Sequence, residues 1–311
     1  TDYMSRADDI FVQNAREIID NGTSTEGEKV RPHWPDGTPA YTIKQFGVVN
    51  RYRLDEEFPA ITLRKTAIKS CTNELLWIWQ KKSSNVNDLS SKIWDEWADE
   101  TGSIGTAYGY QMSIKYPYND VKEDDLKIAF GDKYREHAVF DEKKGMWMMD
   151  QVDRVIFDLK THPFSRRILT SIYNFADLST MHLYPCAYSM TFNVTEDKTD
   201  GKLVLNSILN QRSQDMLAAN NWNVCQYSIL THMLAQVCDM KVGEFVHVIA
   251  DAHIYDRHIP IVEELIDRPI HDAPKFWINP DIHDFYEFTE KDIALVDYVT
   301  EPQIKGIPIA I

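Results

Sequence analysis

Apolar residues fall on one helical face over residues 8–21, where Ile10, Phe11, Ala15, Ile18 and Ile19 recur and Asn21-Gly22 closes the run. A polar loop, 23–39, carries Arg31. Residues 41–53 then read as a strand marked by Ile43, Phe46, Val48 and Val49. Phe58-Pro59 and Ile61-Thr62-Leu63 predict a short extended segment, and 66–80 a helix with Leu75, Leu76, Trp77, Ile78 and Trp79 crowded into its second half. A helix-like stretch at 93–97 precedes a glycine-bearing turn at 102–105 and the run Ala107-Tyr108-Gly109-Tyr110-Gln111. Residues 116–144 are charged and irregular and read as an insertion or lid. The spacing of Val152, Val155, Ile156 and Leu159 predicts an amphipathic helix over 148–161, stopped by Pro163. Strands are expected at 168–173, 202–211 and 244–250, helices at 222–238 and 259–266, and a mixed tail beyond. Strands interleaved with helices, without repeat or linker, predict one α+β domain over 1–311: a mixed sheet flanked by helices.

Composition narrows the classes. With 311 residues, 43% of them hydrophobic and 12% aromatic, the chain has the means to bury a large core. A formal charge of −15 argues against a nucleic-acid backbone as main partner, while local arginines still suit a small anionic ligand. The cysteines, Cys71, Cys186, Cys225 and Cys238, have neither CxxC nor zinc-ligand spacing, so no metal is expected. No basic-plus-apolar leader or membrane-length apolar run stands out, and the expected setting is the reducing cytoplasm.

Several side chains invite a chemical reading. Cys186 follows Pro185 in an apolar-aromatic run, where a buried structural thiol is the plainer reading and a nucleophile the sharper one. Glu74 lies within the most apolar helical stretch. It is either a carboxylate on the wet side of that helix or an acid with a raised pKa. Ser165-Arg166-Arg167 and Arg212-Ser213 combine guanidinium with hydroxyl, a pairing that suits phosphate, although adjacent arginines are commonly solvated surface charge. Asn223 opens an apolar helix, either as a cap or as an amide able to read an imide edge such as uracil. His253 and Tyr255 alternate at a strand end and so share a face.

The order of the motifs changes the odds. ELLWIWQ from Glu74, IWDEW around Trp94, AYGYQ from Ala107, DQV from Asp150, PFSRR from Pro163, LYPC ending at Cys186, QRSQD from Gln211, Trp222-Asn223 and DAHIY from Asp251 occur in one particular sequence. Together they resemble the thymidylate synthase family, folate-dependent enzymes with a cysteine nucleophile that include deoxyuridylate and deoxycytidylate hydroxymethylases. The resemblance spans essentially the whole chain. It implies the family's mixed sheet packing against a second copy in a homodimer with shared active sites. It also implies reductive methylation of dUMP at carbon 5 with 5,10-methylenetetrahydrofolate, giving dTMP and dihydrofolate. Cys186 would add to carbon 6, assisted by Arg212, with Glu74 and Tyr108 in proton transfer and Asp215 and Asn223 completing the catalytic set. Arg31, Gln211, Arg212 and Ser213 would hold the nucleotide from one subunit and Arg166 and Arg167 from the other. Asn223 would read the base, and Asp251, His253 and Tyr255 the deoxyribose. Glu74, Trp94, Leu183, Asp215, Ala219, Trp222 and the tail around Ala310 would border the folate. A cytoplasmic or phage-encoded origin fits this picture.

Three positions depart from the family pattern. Ala187 replaces the usual histidine after the nucleophile. Ala218-Ala219-Asn220-Asn221-Trp222-Asn223 stands for Leu-Gly-x-Pro-Phe-Asn, losing a glycine and a proline beside the folate. Ala67 replaces a frequent histidine. Because the second change lies on the cofactor side, the alternative is a dUMP 5-hydroxymethylase, in which water instead of hydride finishes the reaction and tetrahydrofolate leaves. Asn223 argues for uracil over cytosine. A pseudo-enzyme and a generic Cys-His hydrolase have less support from these residues.

Overall fold

The structure, a computed structural model, describes residues 4–311. Helix α1 (Arg6–Asn21) begins where Ser5 accepts from the Asp8 amide at 3.3 Å and ends at Gly22. A Cβ on Gly22 would lie 2.3 Å from the Ile18 carbonyl, so only glycine fits that close turn. Strands β1 (Thr23–Ser24) and β2 (Thr42–Arg53) follow. Next comes an extended stretch whose Thr62 amide and hydroxyl are held by the buried Asp8 carboxylate at 2.8 and 2.7 Å. Helix α2 (Ile68–Trp79) is buried almost throughout its second half, as its apolar run requires. The 93–97 stretch is not a helix but one tight turn, Asp95–Trp97. Trp94 packs on Trp77, Trp97 and Tyr108, so side-chain packing rather than backbone hydrogen bonding sets this segment. A single helical turn, α3 (Gly109–Ser113), follows.

Residues 116–149 are ordered, against the irregular reading. Strands β3 (Tyr116–Tyr118), β4 (Val139–Asp141) and β5 (Met146–Met149) form a three-stranded antiparallel sheet in the order β3-β5-β4. Helix α4 (Glu123–Phe130) packs beside it on α5 (Gln151–Thr161). Val121, Leu126, Ala129, Tyr134, Ala138, Met149 and Phe157 make a separate small core. Helix α5 starts later than its apolar spacing suggests, because Asp150 accepts from the Asp153 amide at 2.9 Å and caps it; Met148 belongs to β5.

The large sheet has the order β1-β2-β9-β8-β7-β6, where β6 is Leu169–Ser171, β7 Ala187–Glu196, β8 Leu203–Asp215 and β9 Lys241–Tyr255. All its pairings are antiparallel except β8 with β9. Helix α6 (Trp222–Val237) supplies the crossover that a parallel pair needs, and its apolar circumference is buried against the sheet and α2. Helix α7 (Ile259–Ile266) packs on α1, and β10 (Lys275–Ile278) pairs with β11 (Ile293–Val296) in a closing hairpin. The opposite sheet face carries exposed Val49 and Ile208. No helix among the described residues is long and apolar enough to cross a membrane.

Candidate active site

Topology brings the singled-out residues to one end of the large sheet. Arg212, Ser213 and Asp215 lie at the carboxyl end of β8, and Asp251, His253 and Tyr255 at the carboxyl end of the parallel β9. Crevices at the carboxyl ends of parallel strands, beside the crossover helix, are where ligands bind in such units. Asn223 sits in the first turn of α6. Strand β7 runs antiparallel to β8, so its start lies beside the end of β8: Ala187 pairs with Gln211, and the Arg212 amide donates to the Cys186 carbonyl at 3.0 Å. Ser213 also faces Asp251, and Asp215 faces His253, in register.

Cys186 is partly buried and free. Arg212 Nη2 stands 3.7 Å from its Sγ. The same guanidinium is fixed by donating from Nε to the Pro185 carbonyl at 2.9 Å and from Nη2 to the Tyr184 carbonyl at 3.1 Å. Burial pushes the thiol pKa up and Arg212 pulls it down; burial prevails. The Cys186 amide donates to Tyr108 Oη at 3.3 Å. Tyr108 has φ 49°, a left-handed backbone uncommon for an aromatic residue. Gly109 follows it because a Cβ there would fall 2.0 Å from the Ser83 carbonyl.

Glu74 is buried on α2 and does not lie on a wet helix face. Burial raises its pKa to about 7, opposed by hydrogen bonding from the side chains of Gln226 and Trp222. Trp222 Nε1 donates to Glu74 Oε2 at 3.0 Å. Trp222→Phe keeps an aromatic side chain, though a smaller one, and removes that donor, so the Glu74 carboxyl is expected to titrate above about 7; an NMR titration of that carboxyl at or below the wild-type midpoint would reject the contact. Trp94 Nε1 is buried with no hydrogen-bond partner in the chain, an orphaned donor bordering the same space.

Arg31, Ser213, Asp251, His253 and Tyr255 line one cleft of about 250 Å³. Asp251 Oδ1 holds His253 Nδ1 at 2.9 Å. Asn223 is not a cap; its amide is bonded to Gln211 and Gln226. Asp215 Oδ1 accepts from the Leu217 and Ala218 amides at 3.0 and 3.1 Å and so shapes the following loop. Leu183 is half-buried three residues before the nucleophile, and Ala219 lies half-buried in the loop. The tail at Ala310 is drawn toward Arg31 by mutual amide-carbonyl bonds between Ile311 and His33 at 2.8 and 2.9 Å. Arg166 and Arg167 are not gathered in: both are exposed just before β6 and form no ion pair among the described residues.

The loop that loses glycine and proline is held by residues the sequence reading missed. Arg64, buried in the extended stretch before α2, donates to the Leu217 carbonyl and to the Asn220 carbonyl at 2.9 Å. Asn221 Oδ1 accepts from the Ile61 amide at 3.1 Å, and its Nδ2 donates to the Pro59 carbonyl at 2.7 Å. Gln226 was also overlooked, although an amide between Cys225 and Tyr227 in an apolar helix is a readable signal, since buried polar groups need partners. Arg64 carries no comparable signal.

Comparison with known proteins agrees with this geometry. A family model described as thymidylate synthase matches residues 9–310. Thymidylate synthase of Bacillus licheniformis is 41% identical over 299 residues, 95% of this chain and 96% of that protein. Thymidylate synthase of Bacillus phage phi3T is 38% identical over the same shares, 95% and 96%. The solved structure of thermostable thymidylate synthase A from Bacillus subtilis superposes with a TM-score of 0.83 at 36% identity, covering 98% of this chain and 99% of that one.

Proposed function

Because the chain belongs to the thymidylate synthase family, we propose that it converts dUMP to dTMP by covalent catalysis from Cys186. The observation that carries this reading is the convergence at one sheet end of a thiol beside a guanidinium, an amide restrained for base reading and a buried carboxyl poised near neutrality. Arg31, Arg212 and Ser213 take the phosphate at the mouth of the cleft, and Asp251, His253 and Tyr255 meet the sugar along its β9 wall. Asn223 holds the N3–O4 edge. Cys186 Sγ then adds to carbon 6 while its proton leaves, and the electron pair displaced from the ring double bond is spread over carbon 5 and O4. Glu74 serves the proton transfers at that edge, and Tyr108 orders the carbon 5 side. Carbon 5 bonds to the incoming one-carbon unit and loses its proton. Departure of Cys186 from carbon 6 restores the ring double bond and frees the enzyme.

5,10-Methylenetetrahydrofolate, the co-substrate, supplies the one-carbon unit and the hydride and leaves as dihydrofolate. The orphaned Trp94 N–H, with Leu183, Ala219, Trp222 and the tail at Ala310, offers it a largely apolar border. Asp215 belongs to the same border through the loop it caps. The relatives are named thymidylate synthases, so water quenching to 5-hydroxymethyl-dUMP is not favoured. Arg64 and Asn221 supply a fixed frame in place of the lost glycine and proline.

Two copies pack through the outward face of the large sheet, which exposes Val49 and Ile208 and carries a broad depression of about 870 Å³ lined by Ile208, Arg51, Asn193 and Glu244. In that arrangement the unpaired Arg166 and Arg167 of each copy reach the other's phosphate. The 116–144 segment is an insertion with its own small core, and none of its residues lines the cleft of Arg31 and Ser213. Four free thiols suit a reducing cytoplasm, of a bacterium or of a phage's host. Incubation with dUMP and methylenetetrahydrofolate should yield a nucleotide heavier by one CH2 together with dihydrofolate absorbance. A hydroxymethyl product without dihydrofolate would overturn the synthase assignment.

A further inference from the structure

Asn223 is tied on both sides before any nucleotide arrives. Its Oδ1 accepts from Gln211 Nε2 at 3.4 Å, and its Nδ2 donates to Gln226 Oε1 at 3.3 Å. The direction of this string of amides is set at its ends. Gln226 Nε2 donates to the Cys71 carbonyl at 3.4 Å, and Gln211 Nε2 donates to the Ser213 carbonyl at 3.0 Å. Backbone carbonyls only accept, so each glutamine has one workable orientation. Gln211 Oε1 therefore faces His247 Nε2, 2.7 Å away in a fully buried contact, and the proton of His247 resides on Nε2.

A second observation agrees. With the proton on Nε2, His247 Nδ1 is a bare lone pair, buried and unpartnered. Asn50 directly opposes His247 on β2, and its Nδ2 is a buried donor that also lacks a partner. Directly opposed residues of neighbouring strands share a face, so a lone pair on His247 Nδ1 leaves no second buried donor facing the spare N–H of Asn50. Asn50 Oδ1 is already occupied by Asn14 Nδ2 at 2.9 Å, which fixes that amide too. Burial pushes the His247 pKa down to about 3, so the ring stays neutral near pH 7.

An amide offers two lone pairs and two N–H bonds. After serving Gln211 and Gln226, Asn223 keeps one of each, the complement of the uracil N3–H and O4 pair. Cytosine presents the reverse pattern. Reading it would require Asn223 turned over, with its N–H against the N–H of Gln211 and its oxygen against Gln226 Oε1. We propose that His247 is a positioning residue for base choice: by donating from Nε2 to Gln211 it acts with the Ser213 carbonyl to lock Gln211, steadying the Gln211–Asn223–Gln226 string and holding Asn223 in its uracil-reading orientation. This rests on the reading of Asn223 as the group that meets the pyrimidine edge.

The test compares dUMP and dCMP affinities, by calorimetry on the full chain, for wild type, His247→Phe, His247→Gln and Asn223→Asp. His247→Phe should reduce the preference for dUMP about tenfold, the scale of one lost buried hydrogen bond, with KM for dUMP rising more than kcat falls. His247→Gln, whose amide N–H reaches the same point, should restore the preference. A merely structural role would weaken both nucleotides equally, and that result overturns the proposal. An unchanged preference in folded His247→Phe, while Asn223→Asp alters it, rejects His247 and leaves the base reader standing. No change in Asn223→Asp rejects both. If His247→Phe does not fold, ¹⁵N shifts of the wild-type imidazole decide: a proton on Nε2 supports the proposal, and one on Nδ1 overturns it.

Discussion

Replacement of Cys186 by serine is expected to lower turnover by on the order of 10⁴-fold or more, while dUMP binding survives. The hydroxyl keeps the shape of the site but gives up the nucleophilicity of sulfur. Nothing the residue does for the fold explains such a loss: Cys186 is only partly buried, and its amide bond to Tyr108 and carbonyl bond from Arg212 are backbone contacts that serine retains. The binding prediction follows from the layout. The cleft of Arg31, Ser213, Asp251, His253 and Tyr255 does not include the thiol. Equal losses of affinity and turnover would point to a structural cysteine, the plainer of the two readings its sequence context allows.

Glu74→Gln is expected to cost on the order of 10²–10⁴-fold in turnover, the usual range for a positioned general acid-base group. It should also stabilise the protein at high pH. Glu74 has its pKa raised from 4.5 to about 7 by burial, so the folded state binds the proton more tightly than the unfolded chain. Stability contributed by the protonated form is therefore full below about 4.5, declines as pH rises, and is gone above about 7. Above that pH the wild type buries a charge that glutamine lacks, and the variant should be more stable by up to ~3 kcal/mol. Below about pH 4.5 the difference should vanish. Denaturant unfolding at both pH values, paired with initial rates, separates the two effects. A variant that is inactive and also destabilised at pH 8 would show that Glu74 acts as a packing group.

The helices were largely legible because burial on one face writes a 3.6-residue period into the chain, as Phe11, Ala15 and Ile18 of α1 do. Strands β8 and β9 were read short for a functional reason. Their last residues, from Arg212 to Asp215 and from Asp251 to Tyr255, are polar or mixed where the sheet meets the cleft, which breaks the apolar alternation that marks a strand. The regular structure within 116–144 is not legible in the sequence because its few core positions, such as Val121, Leu126 and Tyr134, are far apart among charges and complete their packing with Met149 and Phe157 from outside it.

In the candidate site, the motif order pointed to Cys186, Glu74, Arg212 and Asn223, and the fold brings these to one end of the molecule. The partners that orient them were not legible. Arg64 and His247 act through distances of the order of 3 Å to residues far apart in sequence, and a single chain carries no mark of such pairings. The departure at 218–222 is a case in point. From sequence it looked like altered freedom beside the folate, whereas the loop is anchored by Arg64, Asn221 and Asp215, and its Trp222 is bonded to Glu74.

The most direct measurement uses dUMP carrying fluorine at carbon 5, together with methylenetetrahydrofolate. Fluorine cannot leave carbon 5 as a cation where a proton would, so the reaction should stop with the pyrimidine still bonded to the enzyme. Peptide mass mapping is predicted to find one nucleotide per chain on the peptide bearing Cys186, and none in Cys186→Ser. Attachment elsewhere, or normal dTMP formation by Cys186→Ser, would contradict covalent catalysis by this cysteine.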